Sequence, residues 1–117
     1  PTIFGDGRQS RDFTYVENAV TANLLAAEAS AQKVAGKVFN IAGGQSISLL
    51  QLVAELNRLT GRQLQARFEP ARIGDVRTSL ADSSAARREL DYEVKVNWQE
   101  GLRRTLDFYR ESLAKRP

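Results

Sequence analysis

The sequence predicts a small mixed α/β lobe of three main helices, one short helix and several short strands. Three patterns carry that expectation. Residues 17–31 run without Gly or Pro and are rich in Ala and Leu, the strongest helix formers. Ser48 followed by Gln51, with an apolar face at Leu49, Leu52, Val53, Leu56 and Leu59, is the signature of a capped amphipathic helix. Short apolar or alternating runs bounded by Gly and Pro read as strands.

Taken in order, Thr2-Ile3-Phe4 is the first strand, ended by the turn Gly5-Asp6-Gly7. Arg11, Phe13 and Tyr15 then alternate with Asp12, Thr14 and Val16, so a second strand would send the two sets to opposite faces. In the helix from Glu17 to about Ala31, Val20, Leu24 and Ala27 recur at i, i+4, i+7, which predicts one buried stripe. Glu17 suits the helix dipole, and Gly36 breaks the pattern. Residues 37–42 alternate and stop at Gly43-Gly44, a strand running into a loop. The helix capped by Ser48 ends at Gly61, and 64–68 forms a strand with Leu64, Ala66 and Phe68 on one side, stopped by Pro70. Residues 71–80 make an irregular loop carrying Arg72, Asp75 and Arg77. Asp82 or Ser83 caps a short helix through Leu90. Asn97 caps the last helix, whose apolar face is Trp98, Leu102, Leu106, Tyr109 and Leu113, with Lys115 and Arg116 at its carboxyl end.

Composition narrows the functional classes. At 117 residues, with 42% hydrophobic and 26% charged side chains, the chain fits one globular domain, residues 1–117. The net charge of +3 comes from dispersed arginines with no long like-charged run, which argues against a nucleic-acid partner. The chain has no Cys and no His, so disulfides and thiolate metal sites are excluded, and the usual general base is missing. No apolar run approaches the roughly 18 residues of a membrane span, and no signal peptide is evident, so no membrane is expected and a cytoplasmic setting is. The first residue is Pro rather than Met, as in a piece of a longer protein or a processed chain.

Arg11 on one strand face with two aromatics offers a guanidinium beside flat apolar walls. That arrangement suits an anionic, partly planar ligand such as a nucleotide diphosphate. It equally suits a surface hairpin in which Arg11 pairs with a nearby carboxylate.

The run GDGRQSRDFTYVENA, then Asn40-Ile41-Ala42-Gly43, Arg72-Ile73-Gly74-Asp75-Val76-Arg77 and Ala81-Asp82 closely resemble a known pattern in order and spacing. They resemble the carboxyl-terminal, nucleotide-sugar-binding lobe of extended short-chain dehydrogenase/reductases. Within these, the NAD-dependent nucleotide-sugar epimerases and dehydratases are nearest, the UDP-glucose 4-epimerase group above all. The resemblance implies that Arg11 and Arg72 hold the diphosphate, with Asp75 on the ligand side and Arg77 a secondary contact. It implies that backbone groups of Thr2 and Phe4 read the base edge while Leu49 packs on its face. Gly74 would permit close backbone approach, Asn40 would be structural, and Phe13 and Tyr15 would serve as wall and core.

Two further elements of that family are missing from the chain. No tyrosine is followed four residues later by Lys, and no Gly-rich turn leads from a strand into a helix in the dinucleotide register. The resemblance therefore implies a substrate half without the Rossmann half: no catalytic residue, no metal and no cofactor on this chain, with NAD bound by an N-terminal Rossmann domain as partner. The nucleotide sugar, a UDP-sugar first of all, would be held here for an epimerase that is inactive without its other half. The same lobe serves 4,6-dehydratases and decarboxylases, and a stand-alone binding or assembly module without catalysis is a further reading. Separated from its partner domain, the lobe would expose apolar surface and self-associate.

Overall fold

Thr2–Phe4 forms β1 and pairs in parallel with β4, Arg67–Glu69, in the register Thr2↔Arg67, Ile3↔Phe68 and Phe4↔Glu69. The structure, a computed structural model, describes residues 1–115, so the expectation for Arg116 lies outside the described residues. Between these strands run β2 (Ser10–Arg11), α1 (Val16–Glu28), α2 (Ala31–Val34), β3 (Ile47–Ser48) and α3 (Leu49–Thr60). After β4 come α4 (Ser84–Leu90) and α5 (Trp98–Ala114). The expected three main helices and one short helix are present, joined by the single-turn α2. Chain contacts group these elements into two units: Pro1–Phe13 with Gly44–Leu80, and Thr14–Gly43 with the described residues from Ala81 onward.

In the first unit, the turn after β1 is tight because Gly7 has a positive φ of 74° and lies under Leu50, where a Cβ would come within 2.8 Å of Cδ2. β2 pairs antiparallel with β3, Ser10 opposite Ser48 and Arg11 opposite Ile47. Ser48 then caps α3: its Oγ accepts from the Gln51 backbone N–H at 3.2 Å, and Gln51 Oε1 accepts from the Ser48 N–H at 2.8 Å. The expected strand over 64–68 is displaced to Arg67–Glu69. Asn57 is the reason: its side chain accepts from the Leu64 N–H at 2.8 Å and donates to the Leu64 carbonyl at 3.1 Å, leaving that backbone nothing to offer a ladder. The strand expected to continue past Arg11 also stops early. Asp12 accepts from the Gly44 N–H at 2.9 Å, so a side chain, not a backbone ladder, receives that donor.

In the second unit, α1 packs on α4 through Ala22, Ala86 and Leu90, with Tyr92 beneath them. Ser83 occupies the N-cap position of α4, but the side chain that accepts from the first turn is Asp82, at 2.8 Å from the Ser84 N–H. The Tyr92 hydroxyl donates to the Ala42 carbonyl at 3.1 Å. Asn18 is fully buried and fastens α1 to the segment before α5: its Nδ2 donates to the Val96 carbonyl at 2.7 Å, and its Oδ1 accepts from the N–H groups of Lys95 and Val96. Asn97 caps α5 by accepting from the Glu100 N–H at 2.9 Å. Tyr15, expected as wall or core, packs against α5 at Gly101, where an added Cβ would lie 2.7 Å from Tyr15 Cβ. That close approach accounts for a glycine inside a helix, where it otherwise costs about 1 kcal/mol relative to Ala.

Three sequence expectations fail in this unit. Val20 and Leu24 are 52% and 59% exposed, and Ala27 is exposed as well, so the predicted buried stripe faces outward. The inward face is Asn18, Ala22, Leu25, Ala26 and Ala29, whose small side chains let α4 approach closely. Residues 38–41 keep their alternation, with Phe39 and Ile41 against the core and Val38 91% exposed, but Ala42 is buried too, and 37–42 form no strand because no ladder partner is present among the described residues. On α5, Trp98, Leu102 and Leu106 are half-buried, but Tyr109 and Leu113 are exposed.

Removing Asn18 leaves two N–H groups and a carbonyl of the 95–96 segment without partners. Asn18→Ala is expected to lower unfolding free energy by about 3 kcal/mol, given roughly 1 kcal/mol per hydrogen bond and a desolvation penalty for the orphaned groups. A urea melt of both chains checks this. The carboxylate of Glu100 is held down at about 2, from an ordinary 4.5, by hydrogen bonds from Arg103 and Arg104. A carboxylate depressed by folding stabilises above its unfolded value and loses that contribution as pH falls through its folded value. Stability should therefore drop between pH 4.5 and about 2, and Glu100→Gln should make that drop shallower in melts recorded across the range.

Candidate functional site

The loop of residues 71–80 is exposed along its whole length, and polar links to the β1–β2 segment hold it. Ser10 donates its N–H to the Arg77 carbonyl at 2.9 Å and accepts from the Ser79 N–H at 3.1 Å, a one-bridge extension of β2. Arg77 clamps Asp6 of the glycine turn with both ends of its fork, at 3.0 and 2.9 Å. That clamp, with a hydrogen bond from the Arg8 N–H, keeps the Asp6 carboxyl below its ordinary range.

Arg11, at the end of β2, reaches the same loop. Its Nη2 lies 2.6 Å from Asp75 Oδ1, and its Nη1 donates to the carbonyls of Val76 at 2.6 Å and Ser10 at 2.8 Å. Arg11 thus pairs with a carboxylate, Asp75, and also lines a hollow, but Phe13 and Tyr15, the aromatics expected on its strand face, do not line that hollow because β2 ends at Arg11. Arg72 has a different setting. Its guanidinium carbon sits 3.8 Å from the centroid of the Phe4 ring, and no carboxylate pairs with it among the described residues. Stacked in this way, a guanidinium keeps its in-plane donors free for an anion.

These side chains surround one hollow of about 220 Å³, lined by Thr2, Ile3, Phe4, Gln9, Arg11, Leu49, Arg72 and Asp75. A smaller one of about 90 Å³ shares Phe4, Gln9, Arg72 and Asp75 and adds Arg77 and Asp6. The expected diphosphate and base contacts therefore gather in the larger hollow. Arg77 stands in the smaller one with its fork spent on Asp6. Asp75 pairs with Arg11 and so orients it. Gly74 has φ 82° in the turn closed by the Asp75 N–H on the Arg72 carbonyl, and nothing lies within 4 Å of a Cβ built there.

Backbone groups complete the site. A parallel ladder engages alternate residues of each strand. On the β1 side the ladder uses the Pro1 carbonyl and the Gly5 N–H, so Thr2 and Phe4 turn their own groups away from β4, along an edge with no second strand among the described residues. Leu49 is the first residue of α3, half-buried, and its N–H donates to the Gln9 carbonyl at 3.2 Å.

Gln9 escaped the sequence reading. It is 6% exposed, its Nε2 donates to the Phe4 carbonyl, and its Oε1 is buried without a partner. Extending the strand alternation back by two from Arg11 would have placed it on the same face. Among the described residues no group of three carboxylates or other ligating side chains could hold a metal, and no helix is long and apolar enough to cross a membrane. The Gly5–Gly7 turn leads into β2, and Gly43-Gly44 into β3, so neither sets its backbone at a helix N-terminus as a dinucleotide pyrophosphate requires.

Comparison with known proteins gives concordant matches. The model of the NAD dependent epimerase/dehydratase family matches residues 1–42. A UDP-glucuronate 4-epimerase of Thermodesulfobacterium geofontis is 33% identical over 112 residues, which cover 95% of this chain and 33% of that protein. The crystal structure of a UDP-glucose 4-epimerase with UDP-glucose from Thermotoga maritima superposes with a TM-score of 0.87 at 40% identity, covering 96% of this chain and 35% of that one. A UDP-glucuronic acid 4-epimerase from Bacillus cereus, in complex with UDP-glucuronic acid and NAD, gives a TM-score of 0.87 at 32% identity, covering 95% and 35%. The chain thus spans about a third of the length of these relatives. The chain belongs to the NAD-dependent epimerase/dehydratase family.

Proposed function

We propose that this chain is the nucleotide-sugar-binding lobe of a UDP-sugar epimerase and grips the diphosphate and base of its substrate. The observation that carries this reading is the single hollow shared by Arg11, Arg72, Thr2, Phe4 and Leu49, residues that lie up to seventy positions apart. Arg72 meets the diphosphate as an unpaired cation braced on the Phe4 ring. Arg11 contributes its charge from a fixed position, because Asp75 and two carbonyls already set its orientation. The outward backbone edge of Thr2 and Phe4 offers hydrogen bonds to the base, and Leu49 offers an apolar face. Asp75 keeps a second carboxylate oxygen for a sugar or ribose hydroxyl. Arg77 steadies the loop through Asp6.

The contribution to catalysis is positioning: the lobe fixes the nucleotide so that the sugar carbon meets the reacting centre in one orientation. NAD supplies the hydride acceptor and donor in such an epimerase, and its site is assigned to polypeptide outside this chain. So is the tyrosine–lysine pair, of which this chain carries neither member in register. The outward stripe of α1 (Val16, Val20 and Leu24) and the exposed Val38 are the surfaces that the Rossmann domain, or a second copy in its absence, would cover.

Titration of the chain with UDP-glucose by calorimetry tests the reading. Arg72→Ala and Arg11→Ala should each weaken binding by about 1.5–3 kcal/mol, the range for hydrogen bonds to charged groups. Affinity in both variants unchanged from that of the unaltered chain, or no binding by the unaltered chain, overturns it.

A further inference from the structure

We propose that Gln9 is a positioning residue for the anion grip, acting on Arg72 through Phe4; this rests on the nucleotide-sugar reading of the hollow. Three observations converge. The Gln9 amide donates to the Phe4 carbonyl, at the point where β1 ends and the glycine turn begins. The ring of the same Phe4 is the platform on which the Arg72 guanidinium rests, 3.8 Å from its centroid. Gln9 lines both hollows that Arg72 lines.

The physics of the amide explains why this is more than packing. A carbonyl only accepts, so the Phe4 bond forces Nε2 toward β1 and Oε1 the other way. Oε1 is thereby left buried without a partner, on a side chain only 6% exposed. A buried acceptor left unsatisfied is a net cost that an apolar side chain of similar length would avoid. The stabilising side of the exchange is local: it fixes the last residue of β1, whose backbone faces no neighbouring strand at that edge among the described residues. With Phe4 pinned, its ring keeps one orientation and Arg72 stays braced on it. Arg72 has no carboxylate of its own to hold it among the described residues, whereas Arg11 is held by Asp75. The two arginines are therefore set by different means, one by an ion pair and one by a ring that Gln9 fixes.

The test measures UDP binding to the chain, to Gln9→Met, to Arg72→Ala and to the double variant, alongside thermal melts. Gln9→Met should leave the melting temperature near that of the unaltered chain, weaken UDP about tenfold, and cause no further weakening in the Arg72→Ala background. A purely structural role would lower the melting temperature and weaken UDP equally in both backgrounds; that outcome, or unchanged affinity in Gln9→Met, overturns the proposal. Should Gln9→Met fail to fold, Gln9→Leu, which likewise cannot donate to the carbonyl and adds no charge to the hollow, carries the same expectation for the double-variant comparison. Failure of the unaltered chain to bind UDP would remove the nucleotide-sugar reading itself, whereas binding with additive losses removes only the role of Gln9.

Discussion

The fork of Arg11 is the constraint on which the site depends. One guanidinium holds Asp75 and the Val76 carbonyl, 64 and 65 residues further along the chain, and so ties an otherwise exposed loop to β2. An isolated ion pair at this degree of exposure contributes about 1 kcal/mol at most. Its value lies in number and geometry. Arg11 makes three short bonds, Arg77 adds a two-pronged clamp on Asp6, and Ser10 joins the loop backbone from both sides. Together they bring Arg72 over Phe4 from a loop that is exposed throughout and whose Ile73 is fully exposed.

This makes a division of labour among charges. Arg11 and Arg77 are largely occupied by carboxylates, and Arg72 is the cation left over. A site built this way keeps most of its guanidinium groups ordered beforehand, which would reduce the ordering cost of binding the proposed diphosphate. Gln9 belongs to the same scheme, since it braces a carbonyl that the sheet edge leaves free.

The second unit is organised by different forces. Its core is small, set by Ala22, Ala86, Leu90 and Tyr92, and its exactness of fit comes from polar anchors inside it: Asn18 on the 95–96 backbone and the Tyr92 hydroxyl on Ala42. What it leaves outside is equally informative. A helix with apolar residues on two faces, and an extended segment with Val38 fully presented, leave open the surface proposed above to be covered. That agrees with relatives three times the length of this chain, a third of which it spans.

Sequence alone determined the parts whose partners lie within a turn of helix. The capping of α3 by Ser48 and Gln51 and of α5 by Asn97 is satisfied three residues away, so the chain writes it locally. The identities of the candidate ligand contacts were also legible, through resemblance, down to Arg11, Arg72, Thr2, Phe4 and Leu49. Tertiary structure alone decided which stripe of α1 is buried, because Val20–Leu24 and Ala22–Ala26 have the same periodicity and differ only in what approaches them. It decided that 37–42 carries no ladder and that 64–68 pairs only at its end, since a strand is made by its neighbour and not by its alternation. It decided, finally, that Arg11 is already held and Arg72 is not: the energy of a guanidinium depends on carboxylates and rings that reach it from dozens of residues away, a distance over which no local pattern carries information.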